Sequence, residues 1–309
     1  MSIFKSNTTT RAFELADMPA IMCGYFKIAL LLSDRYFQNL LKLSPKIRRQ
    51  YMTSYLARTL TIRSRLQAVI SHYIFLRGHL KPSSFGSILH SGLCLWTRKF
   101  EAHDFSIVLK LNALHLYEGE MLLVMYRENI ALNQISFSIV AGHLVGQSEP
   151  YVLLIGSAQG AVPEIGDHAF VVKANGGVAP AHLLIAAARG AAEALGVDAL
   201  AGVANAAQIS KTHPSGAQFT FDYDQFWPMF GGAQNAKGFF VLPIAADEHI
   251  SKDKSSAHRR RSRKKAIFKA ETANQVARSL RLHVEQAQAC TDARPLKFGL
   301  KAKGKALTD

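Results

Sequence analysis

Two glutamates, Glu118 and Glu120, flank Gly119 just before the apolar run Met121 to Tyr126. At strand periodicity they project to one side, where paired carboxylates can share a proton or hold a cation. Apart from His115, no His or Asp stands near them in the sequence, and no metal is expected. Proton transfer is the chemistry they suggest, with Glu120 as general base and Glu118 beside it. A solvated or salt-bridged turn is the alternative. A second candidate is the turn Lys173-Ala-Asn-Gly176-Gly177-Val-Ala-Pro180, with Pro180 where a first helical residue would stand. Backbone N–H groups at a helix N-terminus favour an anion such as a pyrophosphate, and glycines permit close approach. Lys173, Gly176, Gly177 and His182 form this candidate cofactor set, against the plainer reading of an ordinary helix entry.

Three further groups follow. Gly156, Gln159 and Gly160 close an apolar run, and strand ends in α/β sheets line ligand crevices. A tight turn or bulge capped by Gln159 would look the same. Asp224 and Trp227 belong to an aromatic and acidic cluster. There Tyr223, Phe226, Trp227 and Phe230 also fit a helical core stripe with Asp222 or Asp224 as N-cap. Arg259, Arg260, Arg261 and Arg263 sit in one basic run with Lys264 and Lys265, suited to phosphates or to a solvated or sheet-docking helix. No HxxxH, CxxC, GxSxG or GK[ST] pattern occurs, which removes the common zinc, disulfide, serine-hydrolase and P-loop readings. No helix-turn-helix or zinc finger is legible.

The elements that must position these residues fall into three stretches of an α+β chain. Residues 1–100 read as a helical basic region, 101–245 as a mixed-sheet core, and 246–309 as a basic helix with a loose tail from Arg294. Met18 to Leu32 is apolar but too short to span a membrane, and Pro19 and Lys27 interrupt it. It reads as a buried helix, with a membrane-associated helix as the alternative. From Phe105 the period changes to two. Strands are expected at 105–111, 121–126 and 135–140, then at 151–155, 169–172, 199–204 and 238–243, with a helix over 181–195.

The chain has 309 residues, of which 49% are apolar and 19% charged, and a formal charge of +15. That is a globular composition with room for a sizeable core. The charge divides as +12 over residues 1–100, −6 over 101–245 and +9 over 246–309. Basic flanks enclosing an acidic middle fit either intramolecular matching or contact with a polyanion, nucleic acid or an anionic membrane. Three scattered cysteines and no signal peptide suggest the cytoplasm, with a peripheral place on the inner membrane left open.

The run from meander to strand, glycine loop, helix and strand resembles the acyl-coenzyme-A site of acetyltransferase-type (GNAT) folds. That fold's loop pattern, Arg/Gln-x-x-Gly-x-Gly/Ala, fails here at Val178. A wider resemblance covers about His72 to Phe268. It rests on His72-Tyr73, Glu118-Gly119-Glu120-Met-Leu and Ser136-Phe137-Ser138. It continues through Ile155-Gly156-Ser-Ala-Gln159-Gly160, Pro180 with Leu183-Leu184, Tyr223-Asp224-Gln-Phe-Trp227 with Gly231-Gly232, and the basic cluster. In that order these pieces resemble the VirK-like (VirK/YbjX) family of Gram-negative bacterial proteins, whose domain carries no assigned chemistry. The family's Gly-Leu-Arg-Pro-Lys turn is Gly177-Val-Ala-Pro-Ala181 here, so two basic residues are missing, and its His-x-Tyr stretch is Gln208-Ile-Ser210. The resemblance implies a role in virulence, envelope integrity or stress response.

The expected function is accordingly a VirK-like acyltransferase, with acyl-coenzyme A as cofactor and an amine or hydroxyl acceptor. The rival is a non-enzymatic protein docking on nucleic acid or anionic membrane through its basic flanks. A member that keeps the fold and has lost the site is the third reading.

Overall fold

The computed structural model describes residues 18–112, 116–160, 168–209, 221–244 and 256–285. The expected loose tail lies outside them.

The chain opens with α1 (Met18–Leu32), α2 (Gln38–Leu43), a 3₁₀ segment (Pro45–Met52), α3 (Ile62–His79) and α4 (Pro82–His90). Thr61 caps α3 by accepting from the Ser64 backbone N–H, and Pro82 opens α4 at a position where a missing N–H costs nothing. The sheet begins next, with β1 (Leu93–Phe100), β2 (His103–Leu111), β3 (Met121–Arg127), β4 (Ile130–Ala141) and β5 (Tyr151–Gly160). After it come α5 (His168–Ala174), α6 (Pro180–Leu195), β6 (Leu200–Val203), α7 (Tyr223–Phe226), β7 (Ala233–Gln234), β8 (Phe239–Leu242) and α8 (Ser256–Arg281).

The eight strands form one sheet in the order β1-β2-β3-β4-β5-β6-β8-β7. Every pairing is antiparallel except β5 with β6, which run parallel and are joined across α6. The antiparallel meander and the strands at 105–111, 121–126 and 199–204 agree with the sequence reading.

Two expectations are overturned. Residues 169–172, expected as a strand, lie in the helix α5. Four apolar residues suit either state, and tertiary placement decided: Val171 and Ala174 are buried on one side, and Asn175 Nδ2 closes the helix end on Val171 O at 2.7 Å. The expected strand-helix-strand unit at 169–204 is therefore helix, helix and strand, and β5 is the strand that precedes α6. The second is β1, which falls in the stretch read as helical and pairs with β2 from Leu93 to Phe100.

The core runs through both faces of the sheet. β4 is buried without a break from Ile135 to Val140 and β5 from Val152 to Ala158, as strands covered on both sides must be. Both α3 and α6 pack on β4, and α8 packs on α6 and β1. Helix α6 is nearly all small and apolar, so α8 approaches closely: a Cβ at Gly190 would stand 2.1 Å from Ala273 O. Arg189, buried on α6, donates to Pro243 O at 3.1 Å and Phe230 O at 2.9 Å and ties in the chain around β8.

Candidate functional site

Ser136 and Ser138 alternate with apolar neighbours on β4, and both are buried, each anchoring a hydrogen-bond network.

The first network surrounds Glu120. Its backbone N–H donates to Ser138 Oγ at 3.0 Å, and its carboxyl is wholly buried. Tyr55 donates to Oε1 at 2.8 Å, Tyr73 to Oε2 at 2.5 Å, and Gln50 Nε2 to Oε1 as well. Three donors favour the carboxylate, yet desolvation wins and raises the carboxyl to about 7. Burial and the neighbouring carboxylate hold Tyr55 and Tyr73 well above the usual phenol value, so both stay protonated donors. His72 lies against Tyr73 with ring centroids 5.1 Å apart. Its Nδ1 accepts from the Ile139 N–H at 3.1 Å, which places the proton of the neutral ring on Nε2, a buried atom with no hydrogen-bond partner among the described residues. Burial lowers His72 to about 3.

Gln50, Tyr55 and Tyr73 come from the N-terminal helical region, and Glu120 and Ser138 from the sheet. The network therefore bolts one to the other. Leu56, next to Tyr55, sits at φ +58°, a region unfavourable for a branched side chain, and donates to Tyr117 O at 2.7 Å.

The second network lies along β5. Gly156 is the extra residue of a bulge between Ser136 and Phe137 of β4. A Cβ there would stand 1.9 Å from Glu118 O, so only glycine fits. Ser136 Oγ donates to Glu118 O at 2.8 Å and lies 2.8 Å from Ser157 Oγ. Glu118, half-buried, accepts at Oε2 from Gln159 Nε2 at 3.0 Å, and Gln134 Nε2 donates to Gln159 Oε1 at 3.2 Å.

The parallel register of β5 and β6 ends at Ile155 and Gly202. Beyond it side chains take the place of a strand. Gln208 Nε2 donates to Gly156 O at 3.0 Å. The Tyr223 hydroxyl accepts from Ala158 N at 2.9 Å and donates to Ala158 O at 3.2 Å. Burial raises the Tyr223 phenol, and the nearby Glu118 charge adds to the rise.

The sequence candidates are thus sorted. Among the described residues Glu118 and Glu120 share no partner: Glu118 ends a 3₁₀ turn (Leu116–Glu118), Gly119 turns the chain at φ +144°, and Glu120 stands just before β3, so strand periodicity does not apply to them. Glu120 is closed off by its donors, which does not fit a base that must reach an acceptor. Lys173 faces the β1–β2 turn, 3.4 Å from Glu101 Oε1, and not the α6 N-terminus. Gly176 and Gly177, at φ +65° and +81°, adjoin α8 instead: Cβ atoms there would meet the Phe268 ring at 2.9 Å and Lys265 Cε at 3.2 Å. His182 lies against Phe226 and Phe230, and burial, with Lys269 and Lys265 nearby, lowers it. The loop and the basic run, far apart in sequence, therefore meet.

Arg259, Arg260, Arg261 and Arg263 are exposed on the first turns of α8. Trp227 is core: wholly buried, it covers Gly202 and donates Nε1 to Val203 O at 3.0 Å. Asp224 Oδ1 accepts from Asn205 N at 2.8 Å, and Asp222 is the N-cap of α7. Gly160 ends β5 opposite Asn133. Gln50, Tyr55 and Lys269 were not among the sequence candidates, and Gln208 and Lys265 were noted there only within a family stretch and a basic run. Among the described residues no group of His, Cys, Asp and Glu could hold a metal ion.

The residues that the two networks bring together include His72-Tyr73, Glu118 to Glu120, Ser136 to Ser138, Gly156 to Gln159 and Tyr223, the same segments that carry the family resemblance. A curated relative agrees: the chain is 29% identical over 236 residues, 72% of its own length and 69% of the relative's, to "Uncharacterized protein YbjX" of Escherichia coli (strain K12). No solved structure matches it. A family model described as "Protein of unknown function (DUF535)" matches residues 23–276, and the chain belongs to that family.

Proposed function

We propose that the chain is an acyl-coenzyme-A-dependent transferase of GNAT-like build, working at the gap between β5 and β6. The observation that carries this reading is the parallel pair itself. Its strands are joined across α6 and part after Ile155 and Gly202, leaving Gly156 to Ala158 bonded to side chains. Crevices at the carboxyl ends of such strands are where open α/β sheets take ligands. The amides of a coenzyme arm would compete with Tyr223 and Gln208 for the same backbone groups. The α6 N-terminus, with Lys265 and Lys269 beside it, supplies positive potential for phosphates. Coenzyme A would bring the thioester; the residues of this chain would bind it and move a proton.

Glu118, half-buried beside Tyr223 and Gln159, takes the base role in place of Glu120. It would accept the proton of an acceptor amine as the nitrogen attacks the thioester carbonyl. The acyl–nitrogen bond would form as the carbon–sulfur bond breaks, and the proton that Glu118 accepts would pass to the departing thiolate. Thiol release from acetyl-coenzyme A in the presence of amines tests this. The Glu118→Gln variant should lose at least 100-fold in turnover while keeping cofactor affinity. Equal turnover in variant and wild type would refute the role.

A second reading has its own observation. From Ser256 to Lys265 helix α8 is exposed at every residue but Ser262 and carries no carboxylate. As a polyanion-docking arm it predicts binding that weakens steeply with salt and is lost when Arg259, Arg260, Arg261 and Arg263 become Ala.

A further inference from the structure

Helix α1 is apolar on two faces. One face is used: Ile21, Ile28 and Leu32 are buried, Gly24 packs on the Leu66 side chain, and Tyr51 donates to Ile21 O at 2.6 Å. The other carries Met22, Phe26 and Leu30, which are 51%, 63% and 73% exposed. Residues spaced by four lie on one stripe, and this one runs about 12 Å along the helix. Three large apolar side chains in a row are not the scattered exposure normal for a soluble surface.

The surroundings of the stripe name its partner. Helix α1 packs on α3, on the 3₁₀ segment Pro45–Met52 and on the 3₁₀ turn Arg35–Phe37. These bring Arg63 and Arg65, then Lys46, Arg48 and Arg49, while Arg35 and Arg77 share a groove with the carboxylates Asp34 and Glu285. From Met18 to Phe100 there are 13 Lys and Arg and one carboxylate, Asp34, which is paired with Arg77 at 3.0 Å. An apolar stripe on a helix whose neighbouring elements are rich in Lys and Arg suits a surface that is apolar beneath and anionic on top. A nucleic acid would use the cations and leave the stripe in water; a second copy would set these cations against their own kind. At 15 residues α1 is too short to span a bilayer, and among the described residues no helix is long and apolar enough to do so. It can lie in the interface.

We propose that α1 docks the protein onto anionic lipid, with Met22, Phe26 and Leu30 entering the acyl boundary and the Lys and Arg of the neighbouring elements on the headgroups. The site is separate from the β5–β6 gap and does not depend on the transferase reading. It also differs from the arginine-rich start of α8.

Vesicle flotation of the full-length protein tests it, with phosphatidylcholine containing one quarter phosphatidylglycerol against phosphatidylcholine alone. The wild-type chain should float with the anionic vesicles at 150 mM salt. The variant M22S/F26S/L30S should bind them at least tenfold more weakly with an unchanged circular dichroism spectrum, since all three side chains are exposed. As a second readout, Phe26→Trp adds an exposed indole to the two buried ones, Trp96 and Trp227. Its emission should shift to shorter wavelength on adding anionic vesicles, and the shift should persist in F26W/R259A/R260A/R261A/R263A. The proposal is overturned if the wild-type chain does not float or if the serine variant floats equally well. An unmoved emission in the Phe26→Trp variant would overturn it too, as would a smaller assembly in the serine variant by light scattering, which would mean that a second copy covers the stripe.

Discussion

Replacing Glu120 with Gln would isolate the titration of one buried carboxyl. Burial moves that carboxyl from 4.5 to about 7. Between those values the folded chain keeps a proton that the unfolded chain has released, so Glu120 makes stability fall as pH rises. At about 1.4 kcal/mol per unit the interval amounts to about 3 kcal/mol, fully present below pH 4.5 and gone above about pH 7. His72 acts in the opposite sense. Burial lowers it from 6.5 to about 3, so the unfolded chain binds a proton that the folded chain refuses, and stability rises with pH across that interval. Where the two windows overlap, from about pH 4.5 to 6.5, the slopes cancel in the wild-type chain. Tyr55 and Tyr73 stay protonated throughout. The amide of Gln offers an N–H where the protonated carboxyl offers an O–H, and in either case a phenol hydroxyl must turn to accept it, so the variant matches the protonated site and loses the titration. Urea unfolding between pH 4.5 and 8 provides the assay. The stability of the variant relative to wild type should climb by about 3 kcal/mol from the acid to the alkaline end, and its own curve should show the His72 rise uncovered. A difference that stays flat across the range would refute the raised carboxyl and the closed network behind it.

The bulge gives a sharp contrast between two glycines. Gly156→Ala forces a Cβ to 1.9 Å from Glu118 O and should cost about 3 kcal/mol or more, whereas Gly160→Ala, with Asn133 Nδ2 at 3.5 Å, should change the unfolding free energy by less than about 0.5 kcal/mol. Tyr223→Phe removes both bonds to Ala158 and should destabilise the fold by about 1–3 kcal/mol. Amide exchange at Ala158 should quicken by an order of magnitude or more in that variant, since its N–H loses its partner.

Much of the sheet was legible because its strands carry long apolar or alternating runs. β2, β3, β5 and β8 announce themselves that way, and Gly196 and Gly231 mark element ends with positive φ. Two short segments were not legible. Ala169 to Val172 is a run that either state accepts, and β1 was hidden among basic residues that resemble the helices before it. The candidate site was legible only in pieces. Glu118, Gln159 and Gly156 were picked out, but Glu120 meets Tyr55 across 65 residues and Gln50 across 70, contacts that no local pattern encodes. The polar residues of β4 show the same limit: alternation tells which side chains share a face, not whether that face meets water. Lys265 reaches Gly177 only because small residues along α6 let α8 come close.

Titration calorimetry with acetyl-coenzyme A tests the central claim most directly. The account predicts saturable binding, weakened at least tenfold in Lys265→Glu and left intact in Glu118→Gln. No heat of binding to the folded wild-type chain, or equal affinity in Lys265→Glu, would contradict it.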